Sequence, residues 1–486
     1  MPNIRWPRRP RIANPIMKFT VAIILAALLA TAAARALIAH DDAREHPASA
    51  VRHFTGAHTR LVWTSQTSGD GRDVMARGTE LTLMGLDTDD RRGIRPLLPQ
   101  QGSYGKPMLS PRGNRVVFTD WSTHTIQAVT WDGTSLATLA TNATAVAVWL
   151  DPAQNTEWVY ALATDALKDR DAGRPLFRFA LDTPSRRETV WEETDITLDN
   201  IMLSRDGRTL GALFPWPHAG LANLDTKTWS ILGRGCWPSL SPDDARLLWI
   251  FDGAHRNVVM HTPDNAHSWT VNINNAPGID GYEVYHPRWA NHVRFLAMTG
   301  PYKSGAGDNL IRAGGPGVEI HLGRFSPDLR SVEAWLPITS NTVADFYPDV
   351  WINPAANLPG ASSNIFANAT PPTTPQPTSQ RILLDARLTT LTPTPSAAAI
   401  APYRNALVVH HYEVLNVITG HLESTTVRVA HWGLRNAQPL PFTTRRGDTR
   451  RLTLEPFDLH PELEGERLIM GTAPQTSPLY YDMESR

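Results

Sequence analysis

Histidine is the side chain best suited to hold a metal or move a proton near neutral pH, and this chain places its histidines suggestively. His286 and His292 flank Trp289, and Asp252, His255 and His261 lie in the segment just before. Brought together, these side chains could form a metal or polysaccharide site. Their spacing matches no defined metal motif and they fall across separate turns, so on residue types alone they tie strands and loops together by hydrogen bonds. His410 and His411 are adjacent in a β-type run, where neighbours point to opposite faces and cannot ligate one ion jointly. The Gly-rich run from Lys303 through Asp308 to Gly317 follows Thr299-Gly-Pro-Tyr302. It lacks the order of a phosphate loop and no helix follows, which leaves a long surface loop of the kind that carries binding. His255, His286, His292, Tyr302, Lys303 and Asp308 are therefore the expected ligand-contacting residues. There is no Gly-x-Ser-x-Gly elbow and no His-Glu-x-x-His, and the sole cysteine, Cys236, precedes Trp237 where a packing residue belongs. No catalytic residue, metal ligand or cofactor is assigned.

The elements that would position these residues are β-strands. The 486 residues include 39 prolines and 16 tryptophans, and long Glu/Lys/Leu helical patterns are missing, which suits short strands with tight turns and aromatic packing. From residue 55 to 353 one theme recurs, clearest in Pro107–Phe118, Ile201–Ala212 and Pro238–Trp249. Each copy has a Ser, a turn of Pro/Arg-Asp/Arg-Gly/Asp type, then an apolar strand. Weaker copies surround Ala147–Pro152 and His286–His292. The spacing of roughly 37 to 60 residues is that of four-stranded propeller blades. Tyr347–Ile352 reads as an opening strand with nothing after it, and Thr59–Thr64 as a blade lacking one. Joined, they close a ring of six blades and remove its free edges. Trp237, Trp289, Trp335 and Trp351 recur near strand positions and are expected to pack between blades, since aromatic rings dominate buried area in such cores.

This turn-and-strand repeat resembles the TolB-like and WD-repeat-like propellers of bacterial envelope proteins. The resemblance implies an all-β, six-bladed β-propeller and names no activity, because propellers host binding, lyase and scaffold roles alike. The oligogalacturonate lyases, a propeller family, use histidines and a divalent metal near the central channel.

Residues 354–380 are rich in Pro, Thr, Ala and Asn without apolar periodicity, an extended spacer. Residues 381–486 return to short β-type runs, expected to form a small barrel or sandwich loosely similar to OB-like domains. At the other end, residues 1–40 combine Arg5, Arg8, Arg9, Arg11 and Lys18, an apolar run from Phe19 to Ala34 and small-x-small sites. They form either a cleaved signal peptide or an N-terminal membrane anchor, and both send the rest of the chain across the membrane to a periplasmic or extracytoplasmic location.

A net charge of −1 gives no support to nucleic-acid binding. The sequence thus points to an exported cell-envelope protein that recognises a protein or polysaccharide partner without catalysis. A polysaccharide lyase with a His-lined site and a structural scaffold of an envelope complex remain as alternatives.

Overall fold

The computed structural model describes residues 47–66, 78–164, 174–198, 200–302, 317–362, 381–401, 403–472 and 476–485. The proposed export segment, residues 1–40, lies outside them. Among the described residues no helix is long and apolar enough to cross a membrane.

Six four-stranded antiparallel sheets form the propeller blades. Blades 2 to 6 each use consecutive strands and open with Tyr104–Leu109, Ala143–Asp151, Met202–Leu203, Cys236–Leu240 and Glu283–Trp289. Blade 1 is built from both ends of the ring. Ala344–Ile352 supplies its opening strand and pairs antiparallel with Thr59–Gln66, setting Thr59 against Ile352, Leu61 against Val350 and Ser65 against Asp345. The opening strands contact one another in order around the axis and close on themselves. This is the six-bladed ring with a composite closing blade that the repeats imply.

The repeat motif acts through its turn. Ser110 N donates to Arg115 O at 2.8 Å and Gly113 N to Ser110 O at 2.7 Å. The same bonds recur at Ser204 N to Thr209 O and Gly207 N to Ser204 O, where the Ser204 hydroxyl also donates to Asp206 at 2.6 Å. The glycines are required twice over. Gly113 and Gly207 have φ of +73° and +71°, and an added Cβ would meet Trp351 at 2.6 Å and Trp149 at 2.4 Å. Each of these tryptophans closes the opening strand of one blade and donates its indole N–H to the turn of the next, Trp351 to Pro111 O and Trp149 to Arg205 O. Blade-to-blade packing is thus written into the turn.

Before blade 1 a helix, α1 (Pro47–Thr55), buries Ala48 and Val51 and sets Phe54 against Phe295 of blade 6. The strand pattern gave no sign of it.

The C-terminal region is a closed barrel. Its five strands are Ile382–Thr390, Ala406–Thr419, Thr426–Arg435, Thr449–Pro456 and Leu479–Asp482. The first pairs with the second, the second with the third, the third with the fifth, the fifth with the fourth and the fourth with the first. The third and fifth run parallel. This is the strand order of an OB-type barrel, filled by Leu384, Leu388, Tyr412, Val427, Val429, Leu452 and Leu454.

The sequence reading of a barrel held at a distance by its linker is corrected by the structure. Residues 363–380 of that linker lie outside the described residues, but the barrel itself sits directly on the propeller. Arg467, on the added barrel strand Arg467–Ile469, is buried and donates to the carboxylate of Glu283, the first residue of the blade 6 opening strand. Its other Nη donates to Gly253 O at 2.8 Å, and Leu468 N donates to the same carbonyl oxygen at 2.8 Å. Ala254 packs among Leu407, Trp432, Leu463, Leu468 and Met470 of the barrel. Spacer composition describes the tether and not the surfaces at its two ends, which explains the misreading.

Truncating one member of a buried ion pair strands the other charge, at a cost of about 3–5 kcal/mol. Arg467→Met is expected to lower urea stability by that order and to release the barrel to proteolysis. The double variant Glu283→Leu/Arg467→Met should recover most of the loss. Additive losses in the double variant would mean that the two charges do not act as a pair.

Candidate functional site

The axis of the propeller is built by one local device used four times. On the opening strands of blades 2, 5, 6 and 1, two residues oppose one on the neighbouring strand, a β-bulge. The second bulge residue is Pro107, Pro238, Pro287 or Pro348, which has no N–H to give the ladder. The first is Lys106, Trp237, His286 or Tyr347, and each adopts a left-handed φ between 46° and 51°.

The side chains of these four residues meet at the axis. His286 lies 4.1 Å from Tyr347 and 4.9 Å from Trp237, ring centre to ring centre, and Trp237 stacks on Tyr347 at 5.9 Å. The Lys106 ammonium sits 5.0 Å from the Trp237 ring and donates to Leu198 O. Three rings therefore pack against one another at this level of the axis, with the Lys106 ammonium over one of them.

Of the residues singled out from sequence, His255 and His286 are both buried against Tyr285, at 5.0 and 4.5 Å. His286 Nδ1 is 3.2 Å from the Thr299 hydroxyl, which also bonds the buried Tyr302 hydroxyl at 2.9 Å. His292 is not brought to them. It lies in the turn after Trp289, accepts from Arg294 N and packs on Phe295. Lys303 and Asp308 lie outside the described residues. Trp237, Trp289 and Trp351 are buried, and Trp335 is half-buried against the core. His410 is buried beside His431, whereas the adjacent His411 is half-buried.

His255 also joins the ionic seam between propeller and barrel. Its Nε2 is 3.3 Å from the Tyr403 hydroxyl, which donates to Cys236 Sγ at 3.4 Å, and its Nδ1 is 3.7 Å from the Glu283 carboxylate. Burial, and then the charge of Arg467, push His255 down to about 4. Burial alone would raise Glu283, but Arg467, His255 and Arg256 outweigh it and hold the carboxyl at about 2.

His58, Asp87 and Asp89 bring ligand-type atoms within 4.8 Å of one another, a cluster the sequence reading missed. Arg60 already holds Asp87 at 2.7 Å and Arg52 holds Asp89 at 2.9 Å. These guanidiniums neutralise the two carboxylates, so the geometry is explained as an ion-pair cluster joining α1 to blade 1.

Among the described residues, an opening lies elsewhere. A trough of about 1000 Å³ runs between blade 5, the end of blade 4 and the barrel. One face of blade 5 forms its floor, with Asn257 opposite Asn272 and Val259 opposite Thr270. Arg234, Arg256 and Arg428 line it, as do Phe457 and Tyr480 of the barrel. Among its carboxylates, Asp252 accepts from Arg256 N, Asn257 N and Asn257 Nδ2, and burial pushes both Asp252 and Glu464 up. Alternating polar residues from Ser268 to Asn274 were the sequence signal for this floor. Nothing in the sequence tied them to Arg428, more than a hundred residues away.

A histidine held low by burial stabilises the fold while neutral. That stability is complete above the ordinary pKa of 6.5 and is lost as pH falls toward the folded value. His255, at about 4, and His410, pushed to about 3 by burial, His431, Arg450 and His411, both act in this window. Each costs up to about 1.4 kcal/mol per pH unit. Urea midpoints are expected to hold from pH 8 to about 6.5 and then decline toward about 4.5. His410→Gln should make that decline shallower, and midpoints independent of pH across the window would refute this account.

No protein-family model matches the chain, and no curated protein matches it. Among solved structures, TolB from Acinetobacter baumannii is similar at 11% identity, with 62% of this chain and 69% of that one covered and a TM-score of 0.42. A putative TolB from Agrobacterium tumefaciens gives 11% identity, 59% and 90% coverage and a TM-score of 0.38. An oligogalacturonate lyase in complex with manganese gives 10% identity, 50% and 68% coverage and a TM-score of 0.33. Likeness at this identity concerns the fold alone. On its own strand pairing, the chain is a six-bladed β-propeller with a composite closing blade that carries a closed C-terminal barrel.

Proposed function

We propose that this chain is a non-catalytic binding protein of the cell envelope that holds its partner, a glycan or a protein, in the trough between blade 5 and the barrel. The observation that carries this reading is where space and contacts fall. The axial His286 is engaged in packing, while the trough, of about 1000 Å³, offers amide, hydroxyl and charged side chains and is assembled from both parts of the molecule. The export reading rests on the basic and apolar segments before residue 40. Binding without turnover accords with histidines whose ring nitrogens serve internal contacts.

Thr270→Trp places a bulky ring on an exposed strand position in the trough, where folding stability should change by no more than about 0.5 kcal/mol. In a screen of envelope polysaccharides and envelope extract, this variant is expected to lose the partner that the parent chain retains, with an unchanged melting temperature. Retention by Thr270→Trp together with loss in His286→Ala would move the site to the axis and overturn the proposal. Release of unsaturated sugar products from a bound polysaccharide would overturn its non-catalytic part.

A further inference from the structure

The floor of the trough is uncharged. Its blade 5 residues are every second one on two paired strands, Asn257, Val259 and His261 on one and Ser268, Thr270 and Asn272 on the other. Val258, Met260 and Val271, which lie between them, are buried in the core, so one whole face of this ladder is given to the trough. Asn257 stands opposite Asn272, Val259 opposite Thr270 and His261 opposite Ser268. Burial lowers His261, so its ring is neutral near pH 7 as well. At about 3.4 Å per residue the three pairs extend about 13 Å, longer than one sugar ring. Among the described residues the hydroxyls of Ser268, Thr270 and Tyr480 have no hydrogen-bond partner, which leaves them open to a ligand.

The charged groups around this floor are engaged with one another. Arg256 is 3% exposed, its Nη atoms donate to Gly281 O and Gly471 O, and the carboxylates of Glu283 and Asp252 act on its charge. Arg234 donates from Nε to Glu464 O at 3.1 Å, and its charge acts on the Glu464 carboxyl. Arg428 donates from Nε to Ser477 O at 2.6 Å. Asp252 accepts from Arg256 N, Asn257 N and Asn257 Nδ2. Three arginines thus stand among four carboxylates, those of Asp252, Asp458, Glu464 and Glu466. An acid entering here would meet these carboxylates and find no unengaged cation, and an amine would meet the three guanidiniums. An uncharged polyol escapes both penalties. Its hydroxyls can donate to the carboxylates of Asp458 and Glu466 and exchange hydrogen bonds with the floor. Val259 and the Tyr480 ring add apolar surface for the C–H face of a sugar. A peptide added as a strand would use main-chain groups at a sheet edge, and it is a sheet face that lines this trough.

We propose that the trough binds an uncharged oligosaccharide, with its hydroxyls on Ser268, Thr270 and Asn272 of the floor and a ring face against Tyr480. This rests on the reading of the trough as the binding site and adds the class of ligand. Binding carried by neutral hydrogen bonds and packing is insensitive to salt.

The test is calorimetric titration of the purified chain with cello-, malto- and N-acetylglucosamine oligomers and with methyl-esterified oligogalacturonate. The last two are set beside their charged counterparts, the de-N-acetylated amine and the free acid. At least one uncharged oligomer is expected to bind, with an affinity that changes less than about twofold between about 0.05 and about 0.5 M salt. Neither charged counterpart should bind tighter than its uncharged form. Ser268→Ala/Thr270→Val removes two floor hydroxyls and should weaken binding about tenfold at an unchanged melting temperature. Thr270→Trp should block binding altogether. Tighter binding of the acid or the amine, falling as salt rises and abolished by Thr270→Trp, would overturn the uncharged ligand while leaving the trough as the site. Absence of binding to every uncharged oligomer would overturn the inference. Saccharide binding indifferent to Thr270→Trp would overturn the trough itself.

Discussion

The contact on which this architecture depends is the buried pair of Glu283 and Arg467. Glu283 begins the last complete blade and Arg467 belongs to the strand added to the barrel. Removing two charges from water is costly, and attraction repays the cost only in well-fixed geometry. Here the geometry is fixed from both sides, because Gly253 O receives both Arg467 Nη1 and Leu468 N. An apolar seam alone would tolerate sliding. A buried ion pair with shared backbone partners admits one orientation, and both walls of the trough follow from it.

The propeller reaches its closed axis by a different economy. Four opening strands carry the same pre-proline bulge, so one local rule delivers Lys106, Trp237, His286 and Tyr347 to a common centre. A non-glycine residue with left-handed φ costs roughly 1–3 kcal/mol, and here the cost recurs four times. Burial of three aromatic rings and the Lys106–Trp237 contact offset it. His286 is accounted for by this packing, since its ring contacts both Trp237 and Tyr347 and its Nδ1 meets Thr299.

What was legible in the sequence follows from what is local. The Ser–turn–strand repeat could be read because Gly113 and Gly207 are dictated by their own φ and by a tryptophan at a fixed place in the repeat. Ring closure could be read because Tyr347–Ile352 and Thr59–Thr64 are each incomplete alone. The buried tryptophans follow from the same pattern. The barrel's place on the propeller could not be read, because Arg467 and Glu283 are 184 positions apart and neither sits in a distinctive motif. The trough inherits that difficulty, since its floor and its barrel wall share no sequence neighbourhood. The four pre-proline bulges were not read from the sequence, because which side chain each turns inward depends on a backbone conformation that residue types alone do not fix.

The two ends of the barrel's loops sharpen this picture. In barrels of this strand order, the loops after the first and fourth strands commonly receive the ligand. Here the loop between Thr390 and Ala406 carries Tyr403 to His255 and Cys236, and the segment between Pro456 and Leu479 carries Arg467 to Glu283. Both loops contact the propeller, and at the propeller's own axis the bulge residues Trp237, His286 and Tyr347 pack on one another. With these loops engaged in docking, the trough at the junction is the surface to which we assign recognition. A site of that kind exists only while the parts are docked. Whatever weakens the Glu283–Arg467 pair therefore removes the trough before it unfolds either part, and whatever fills the trough stabilises the docked form by mass action.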